Sequence, residues 1–503
     1  SRPLKTDFTY FTIPGADWQG VLYGIMMSHP AALRKNRPIP KRGIHVPKEP
    51  FRYTSLAEAG ARAAALGVSL PLSEETALLR EPLEVAGYRL HNRLVIQPME
   101  GCDGTLDGSP GELTRRRYRR FAESGAGLIW MEAVAVVREG RANPRQLMLT
   151  RTNLDAFKRL TEDIREWAVR ATGREPVLVM QATHSGRYSK PEGDPAPRIA
   201  CRNPLFEKDM PLPDSCILSD DELRALPERY ACSARLAEEA GFDGVDIKAC
   251  HRYLLNELLS AHTRPGPYGG SFENRTRLLR DAVRAAKAAT AGGAFITSRL
   301  NVYDGFPYPY GWGVLPDGGV EPELEEPKRL AALLVREEGV PLLNITIGNP
   351  YVNPHVNRPY DDGPYPPPEH PFAGVARLCR CVSEIKRAVP GAAVVASGLS
   401  YMRQFSGNLA AGMIAAGGAD LAGFGRQAFA YPSFAADLLE SGRLDPKKCC
   451  ISCGKCSALM RAGSVAGCVV RDTETYLPYY RRDVGRVLKK AEENPHPKKE
   501  WAR

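Results

Sequence analysis

From about Leu83 onward, short runs of β-branched and other apolar residues alternate with longer stretches in which apolar positions recur at helical spacing. Runs that are apolar throughout are typical of strands buried on both faces of a parallel sheet. Strands are predicted near Arg93–Gln97, Leu128–Glu132, Val177–Gln181, Gly244–Lys248, Phe295–Leu300, Leu342–Thr346, Ala393–Ser397 and Asp420–Phe424. Helices are predicted near Gly111–Glu123, Leu154–Ala171, Asp220–Ala240, Glu273–Ala289, Glu325–Glu338, Gly374–Ala388, Arg403–Ala416 and after Tyr431. This alternation predicts an α/β fold, a (β/α)8 TIM barrel whose active site lies at the carboxyl ends of the strands.

Three segments of different composition are predicted along the chain. Residues 1–80 form an N-terminal extension that is basic and rich in proline at first and then carries an alanine-rich helical stretch near Ser55–Leu66. We expect this extension to pack on the barrel or on a second subunit of a homo-oligomer. Residues 81–442 form the barrel, and residues 443–503 form a cysteine-rich segment with a charged tail. Two long connections are expected to shape a pocket or lid, Tyr303–Pro327 and Asn349–Pro371.

Charge and hydropathy exclude two classes of partner. The 503 residues carry a formal net charge of +10, with 68 Lys and Arg dispersed among 58 Asp and Glu. This mild, interleaved excess is typical of a solvated surface and does not indicate a nucleic-acid partner. The sequence has no run of eighteen apolar residues, so no membrane span is expected. Nothing at its start resembles a secretory signal, which predicts a cytoplasmic protein with reduced cysteines.

The cysteines are concentrated near the end of the chain. Five of the twelve lie close together: Cys449, Cys450, Cys453, Cys456 and Cys468. The C-x2-C-x2-C spacing of Cys450, Cys453 and Cys456 puts three thiolates on one turn, and Cys468 supplies a fourth, which is the arrangement of a [4Fe-4S] cluster. A structural zinc site uses the same thiolates, and Cys449 could shift the register of the first ligand. An oxygen-labile cluster would favour an anaerobic host.

Polar and small residues gather where the predicted strands end, as a barrel active site requires. They are Gln97 to Glu100, Glu132 and Ala133, Gln181 to Arg187, Lys248 to Tyr253, Arg299, Ser397 and Gly398, and Gly423 to Arg426. The last two strands supply small residues and backbone N–H groups beside an arginine, where barrel enzymes commonly hold a phosphate. A phosphate-bearing cofactor is therefore expected.

Several short motifs between about residues 83 and 440 are more specific. They are Asn92-Arg93, Pro98-Met99, Glu132-Ala133, Gln181-x-x-His184-x-Gly186-Arg187, Gly241 to Asp246, Tyr253-Leu254 and Tyr268 to Arg275. With these motifs the chain resembles the old yellow enzyme family of FMN-dependent oxidoreductases. With the cysteine segment added, it resembles the iron–sulfur branch that contains 2,4-dienoyl-CoA reductase and trimethylamine dehydrogenase.

The resemblance implies FMN at the barrel mouth. Four residues would line the isoalloxazine: Pro98, Met99, Glu100 and Ala133. Gln181 would bond the pyrimidine edge, and Arg299 would lie where positive charge stabilises the anionic reduced flavin. Gly398, Gly425 and Arg426 would hold the phosphate.

The catalytic positions implied by the resemblance are less conventional. Relatives have a His-x-x-His or His-x-x-Asn pair after the fourth strand, and Lys248 and His251 stand at these positions. The pair would polarise an enone or hold a carboxylate, although Lys248 could instead be an interior cation paired with Glu100 or Glu132. Tyr253 matches a tyrosine that protonates the α-carbon, and its alternative role is packing. A loop histidine that acts as an acid in some relatives is replaced by Pro350, with His355 only a nearby candidate.

The electron donor and the reaction follow from what the sequence lacks. Relatives continue into FAD- and NAD(P)H-binding domains, but no G-x-G-x-x-G turn occurs here and few residues follow Cys468. We therefore expect a ferredoxin, a flavoprotein subunit or NAD(P)H to deliver electrons through the cluster. The first interpretation is reduction of an activated C=C bond in a small unsaturated substrate. Amine oxidation, for which Cys102 lies near the position of flavin attachment, and a non-catalytic electron-transfer subunit are the alternatives.

Overall fold

The computed structural model describes residues 49–207, 211–361 and 363–487. Eight parallel strands close into a barrel in the order β10-β3-β4-β5-β6-β7-β8-β9, which confirms the predicted (β/α)8 fold. Its strands are β3 (Leu94–Ile96), β4 (Leu128–Ala135), β5 (Val177–Thr183), β6 (Gly244–Ile247), β7 (Phe295–Asn301), β8 (Leu342–Thr346), β9 (Ala393–Ala396) and β10 (Leu421–Phe424). A hairpin of β1 (Leu83–Val85) and β2 (Tyr88–Leu90) precedes them. Every residue of β4 is buried, because the barrel interior covers one face of each strand and helices cover the other.

The helices follow the predicted alternation. They are α1 (Leu56–Ala65), α2 (Glu112–Ala122), α3 (Leu154–Thr172), α4 (Pro204–Glu207), α5 (Asp220–Glu239), α6 (Leu254–Leu259), α7 (Phe272–Ala289), α8 (Glu325–Arg336), α9 (Pro354–Asn357), α10 (Pro371–Ala388), α11 (Ser406–Ala415), α12 (Arg426–Ala430), α13 (Phe434–Ser441), α14 (Lys455–Arg461) and α15 (Thr473–Tyr479). Side-chain caps define several starts. Ser219 and Glu222 form a reciprocal capping box at the start of α5.

Two helix starts differ from the prediction. The helix predicted from Gly374 begins at Pro371, because His370 accepts a hydrogen bond from the Phe372 N–H and proline suits the first helical position. The helix predicted from Arg403 begins at Ser406. Residues Leu399–Phe405 form 3₁₀ turns, and Arg403 has a left-handed φ of 48° that interrupts regular helix.

The described part of the N-terminal extension packs on its own barrel, whereas residues 1–48 lie outside the described ranges. Phe51 is buried against Tyr401, with ring centroids 5.6 Å apart, and the Arg403 guanidinium lies over the Phe51 ring. The Ser73 N–H donates to the Asn408 carbonyl of α11. The predicted helical stretch is confirmed as α1, which Ser55 and Glu58 cap.

The cysteine segment lies against the end of the barrel at which the strands have their carboxyl ends. A small core of Leu459, Val465, Val469, Tyr476 and Val484 holds α14 and α15 together. The Ala466 N–H donates to the Gly101 carbonyl just after β3, over 2.7 Å. This contact places the segment beside the predicted active site. In the part of the chain that the structure describes, no helix is long and apolar enough to cross a membrane.

Candidate active site and cysteine pocket

The parallel strands bring the predicted flavin-contact residues to one end of the barrel. Pro98, Met99 and Glu100 directly follow β3. Ala133 of β4 is paired in register with Gln181 of β5, and both are buried. Residues that are distant in sequence thus line one rim, as the barrel prediction requires.

Asp246 of β6 organises this rim, although sequence reasoning gave it no role. Its carboxylate accepts from Gln181 Nε2 over 2.6 Å, from Trp130 Nε1 over 2.9 Å and from the Arg299 backbone N–H over 2.6 Å. Burial raises the pKa of Asp246 to about 6. The sequence does carry a sign of this role, because a buried acidic residue in an otherwise apolar strand needs hydrogen-bond partners.

Three arginines beside the rim have unused hydrogen-bond donors. The Nε atoms of Arg299, Arg358 and Arg426 are buried and have no hydrogen-bond partner among the described residues, and neither has Nη1 of Arg358. Burial, and then the nearby Arg426 charge, lower the pKa of Arg358 to about 9. Buried cations without compensating carboxylates are costly, so this group is suited to an anion. Sequence reasoning selected two of the three and missed Arg358, which lies in the loop after β8.

The two glycines predicted to hold the phosphate, Gly398 and Gly425, lie close to neighbouring side chains. A Cβ on Gly425 would stand 2.8 Å from the Met99 sulfur, so glycine lets the ends of β10 and β3 approach each other. Gly398 has a φ of 79°, and a Cβ there would collide with Leu378. Glycine at both positions thus lets the backbone pack closely against the Met99 and Leu378 side chains.

Lys248 and Tyr253 meet at Glu100. The Lys248 ammonium lies 3.4 Å from Glu100 Oε1 and 3.9 Å from the centre of the Tyr253 ring. The Tyr253 hydroxyl lies 3.2 Å from the same Glu100 oxygen and 2.9 Å from the Tyr351 hydroxyl. Of the two ion-pair partners considered for Lys248, Glu100 is therefore the one in contact. Glu132 instead binds Arg117 and accepts from the Gly101 N–H over 2.8 Å.

The protonation states of this group follow from its burial. Burial raises the pKa of Tyr253 well above its ordinary value, and the Glu100 charge adds to this, so the hydroxyl stays protonated. Burial, followed by the charges of Arg299, Lys248 and Arg426, lowers the pKa of His251 well below its ordinary value. His251 is thus a neutral imidazole, and only Lys248 of the predicted pair carries charge. His251 and Arg252 both have left-handed backbone, with φ of 63° and 58°, and the ion pair of Arg252 with Asp304 holds this turn.

The loop after β8 presents a tyrosine where a histidine was sought. Tyr351 stacks on Tyr188 with ring centroids 3.9 Å apart. The Pro350 carbonyl accepts from Arg461 of α14 over 2.7 Å. His355 instead pairs through Nδ1 with the Tyr365 hydroxyl, 2.5 Å away, and burial lowers the pKa of His355 to about 4. The structure therefore brings Tyr351, and not His355, to Tyr253.

The four predicted cluster cysteines line one pocket that is partly open to solvent, together with Cys449 and Arg426. Backbone N–H groups point at two of the sulfurs, from Ser452 to Cys450 and from Arg471 to Cys468. Burial raises the pKa of the Cys450 thiol to about 12. Within the described ranges, no three or more Cys, His, Asp or Glu side chains converge as the ligands of a single metal ion do.

Cys449 is set apart from the other thiols. It is fully buried, donates to the Asp445 carbonyl and accepts from Gln427 Nε2, each over 3.3 Å. The other end of the Gln427 amide accepts from the Cys450 N–H over 3.0 Å. Because the Cys449 thiol is occupied by protein groups, Cys450 is the better placed first ligand.

Comparison with known proteins agrees with this barrel. Residues 78–308 match the NADH:flavin oxidoreductase / NADH oxidase family. The chain is 32% identical over 231 residues to an NADPH dehydrogenase of Bacillus pumilus (strain SAFR-032), which covers 45% of this chain and 64% of that protein. This chain thus spans under two thirds of that relative.

Solved structures share the fold at low sequence identity. A 2-naphthoyl-CoA reductase in complex with 2-naphthoyl-CoA has a TM-score of 0.65 and 18% identity, over 83% of this chain and 59% of that one. An old yellow enzyme homologue from Zymomonas mobilis has a TM-score of 0.54 and 22% identity, over 73% of this chain and 94% of that one. Residues 78–308 of the barrel are therefore similar to the NADH:flavin oxidoreductase / NADH oxidase family, and the solved structures share the barrel fold.

Proposed function

We propose that this chain is an FMN-dependent oxidoreductase that reduces the activated C=C bond of an α,β-unsaturated carbonyl, carboxylate or thioester. The observation that carries the proposal is the group formed by Lys248, Tyr253 and Glu100 at the carboxyl ends of the strands. It combines a cation with a protonated hydroxyl, which are the two functions that conjugate reduction requires of a protein.

The residues at the rim fit FMN. The unused donors of Arg299 and Arg426 suit a reduced isoalloxazine and a phosphate, respectively. Pro98, Met99, Glu100 and Ala133 would line the ring, and Gln181 would bond its pyrimidine edge. Gly398 would complete the phosphate site. FMN supplies the hydride when it is bound.

The chain's own residues would hold the substrate and move one proton. Lys248 binds the carbonyl or carboxylate oxygen and stabilises the negative charge that develops on it. His251, as a neutral imidazole, donates a second hydrogen bond to that oxygen. Tyr253 gives its proton to the α-carbon, a contribution of the kind that is worth roughly 10²- to 10⁴-fold in rate.

Cys450, Cys453, Cys456 and Cys468 would hold a [4Fe-4S] cluster that receives electrons from a ferredoxin, a flavoprotein subunit or NAD(P)H. Backbone N–H groups aimed at two sulfurs favour bound thiolates. The four thiols line one pocket, and their C-x2-C-x2-C…C spacing is that of a cluster. Iron and sulfide analysis of anaerobically purified protein tests the cluster. Zinc at one atom per chain, without iron, would contradict it.

Enone reduction is tested anaerobically with FMN-loaded protein and dithionite-reduced viologen as donor. We expect the wild type to reduce 2-cyclohexenone, cinnamate or crotonyl-CoA. We expect Lys248→Met to weaken substrate binding and turnover together, because the positive charge is lost. A flavin-loaded wild type that reduces none of the three substrates would contradict the proposal. Unchanged reduction by both Lys248→Ala and Tyr253→Phe would leave only an electron-transfer subunit.

Amine oxidation is the second candidate, and Cys102 bears on it. Its sulfur is buried, accepts a hydrogen bond from Asn143 over 3.3 Å, and has a pKa raised by burial and by the Glu100 charge. Such a thiol is a poor nucleophile for covalent flavin attachment. Acid precipitation discriminates here, since flavin that remains with the precipitated protein would favour amine oxidation over C=C reduction.

A further inference from the structure

The Tyr253 hydroxyl has two oxygen neighbours, the Glu100 carboxylate and the Tyr351 hydroxyl, and only the Tyr351 hydroxyl can donate a hydrogen bond. Tyr253 is only 2% exposed, so bulk water does not reach its hydroxyl directly. Glu100, held beside the Lys248 ammonium, is an acceptor in its carboxylate form. The single hydroxyl proton of Tyr253 therefore points to Glu100 over 3.2 Å, and the Tyr351 hydroxyl donates to the Tyr253 oxygen over 2.9 Å.

Tyr351 is held in this position from three sides. Its backbone N–H donates to Asn349 Oδ1 over 2.9 Å, and its ring stacks on Tyr188 at an interplanar angle of 23°. Asn349 also donates to the Tyr188 hydroxyl over 3.0 Å, so both supports share one residue. Arg461 fixes the preceding Pro350 carbonyl. These contacts orient the Tyr351 hydroxyl, because a stacked ring with a fixed backbone has little rotational freedom left.

The position of Tyr351 suits transfer from solvent to a buried acid. Tyr351 is partly exposed, whereas Tyr253 is buried. A substrate bound at Lys248 would cover Tyr253 further, and Tyr351 is the more exposed of the two hydrogen-bonded tyrosines. After Tyr253 has given up its proton, Glu100 has none to return, and the neighbouring Tyr351 hydroxyl does.

We propose that Tyr351 is a proton-relay residue that reloads Tyr253 during turnover, an inference that rests on the proposed C=C reduction. As the α-carbon forms its new C–H bond, the O–H bond of Tyr253 breaks. The Tyr253 oxygen takes the proton of Tyr351, and Tyr351 takes one from water. The net transfer is one proton from solvent to substrate, and FMN would supply the electron pair as hydride when it is bound.

The test compares Tyr351→Phe with Tyr188→Phe as matched control. Each variant keeps an aromatic ring in the stacked pair and loses one hydroxyl, but only the Tyr351 hydroxyl contacts Tyr253. Reduced, FMN-loaded protein is mixed anaerobically with 2-cyclohexenone, and flavin reoxidation is followed in H₂O and D₂O. We expect Tyr351→Phe to slow turnover by less than the roughly 10²- to 10⁴-fold that a direct general acid contributes, because Tyr253 is still present, and to enlarge the solvent isotope effect and shift the pH profile. Tyr188→Phe loses only the hydroxyl that accepts from Asn349, so it should slow turnover less than Tyr351→Phe and leave the solvent isotope effect unchanged.

A second measurement needs neither cofactor nor turnover. In protein labelled with 3-fluorotyrosine, the ¹⁹F resonance of residue 253 is assigned by its loss in Tyr253→Phe. That resonance should move in Tyr351→Phe and stay in place in Tyr188→Phe. An unmoved resonance, or an active wild type matched by Tyr351→Phe in rate and isotope effect, would overturn the relay alone. A flavin-loaded wild type that reduces no substrate would overturn the proposed function and the relay together.

Discussion

Asp472→Asn is expected to release the fourth thiol of the cysteine pocket. The Asp472 carboxylate accepts from Arg116 over 2.8 and 3.0 Å and also binds Arg120, and both arginines belong to α2 of the barrel. The Asp472 N–H donates to the Cys468 carbonyl over 3.0 Å. The ion pairs thus tie the backbone that carries Cys468 to the barrel.

The free-energy cost of Asp472→Asn depends on how exposed the paired side chains are. The Asp472 side chain is 7% exposed, but those of Arg116 and Arg120 are 38% and 32% exposed. Loss of one partner costs about 3–5 kcal/mol in a fully buried ion pair and about 0–1 kcal/mol in an exposed one. We expect about 2 kcal/mol here, which makes local opening of the segment about 30-fold more frequent.

Amide hydrogen exchange of residues 464–487 measures this opening directly, and iron and sulfide per chain after anaerobic reconstitution report its effect on the pocket. We expect faster exchange in the segment and lower iron content, with the melting temperature of the barrel nearly unchanged. Glu474→Gln, at an exposed position of the same helix, is the matched control. If Asp472→Asn showed the same amide hydrogen exchange and the same iron content as the wild type, the ion pairs of Asp472 would not hold Cys468 in place.

Three further outcomes are expected. Tyr253→Phe should retain FMN but lose about 10²- to 10⁴-fold in enone reduction, measured by viologen oxidation, because the ring packing is kept and the proton donor is removed. Arg358→Met should stabilise the cofactor-free protein by about 1–3 kcal/mol in urea unfolding and weaken retention of the phosphate-bearing cofactor, because a buried guanidinium with unused donors is removed; a loss of stability would contradict this. His184 is buried, and burial lowers its pKa from 6.5 to about 4. Its neutral form therefore contributes stability above pH 6.5 that falls by about 3 kcal/mol as the pH drops to 4, and His184→Gln should flatten that part of the urea-unfolding profile.

Strands were predictable where local sequence determines them. β8 runs from Leu342 to Thr346 as predicted, because a buried apolar run stands between Pro341 and Gly348, which both break regular structure. The start of α10 was less predictable. It depends on a hydrogen bond between the His370 side chain and a backbone N–H two residues on, and apolar periodicity does not report that bond.

The contacts within the candidate site were harder to predict, because they join distant parts of the chain. Lys248 and Glu100 were both singled out from strand ends, yet their contact spans 148 positions in sequence. Tyr351 and Arg358 lie in an irregular loop whose path is set by tertiary packing, so no spacing rule pointed to them. The roles given to the flavin-contact residues and to the cysteines stay predictions until a cofactor is bound.

The hydrogen bond from Arg461 to the Pro350 carbonyl connects the cysteine segment to the loop after β8, which carries Tyr351. Oxidation of the thiols would therefore also displace the loop that carries Tyr351, even where the barrel itself stays folded. Under the proposed function, binding of a cluster at the thiols and alignment of the Tyr351 relay would therefore depend on each other.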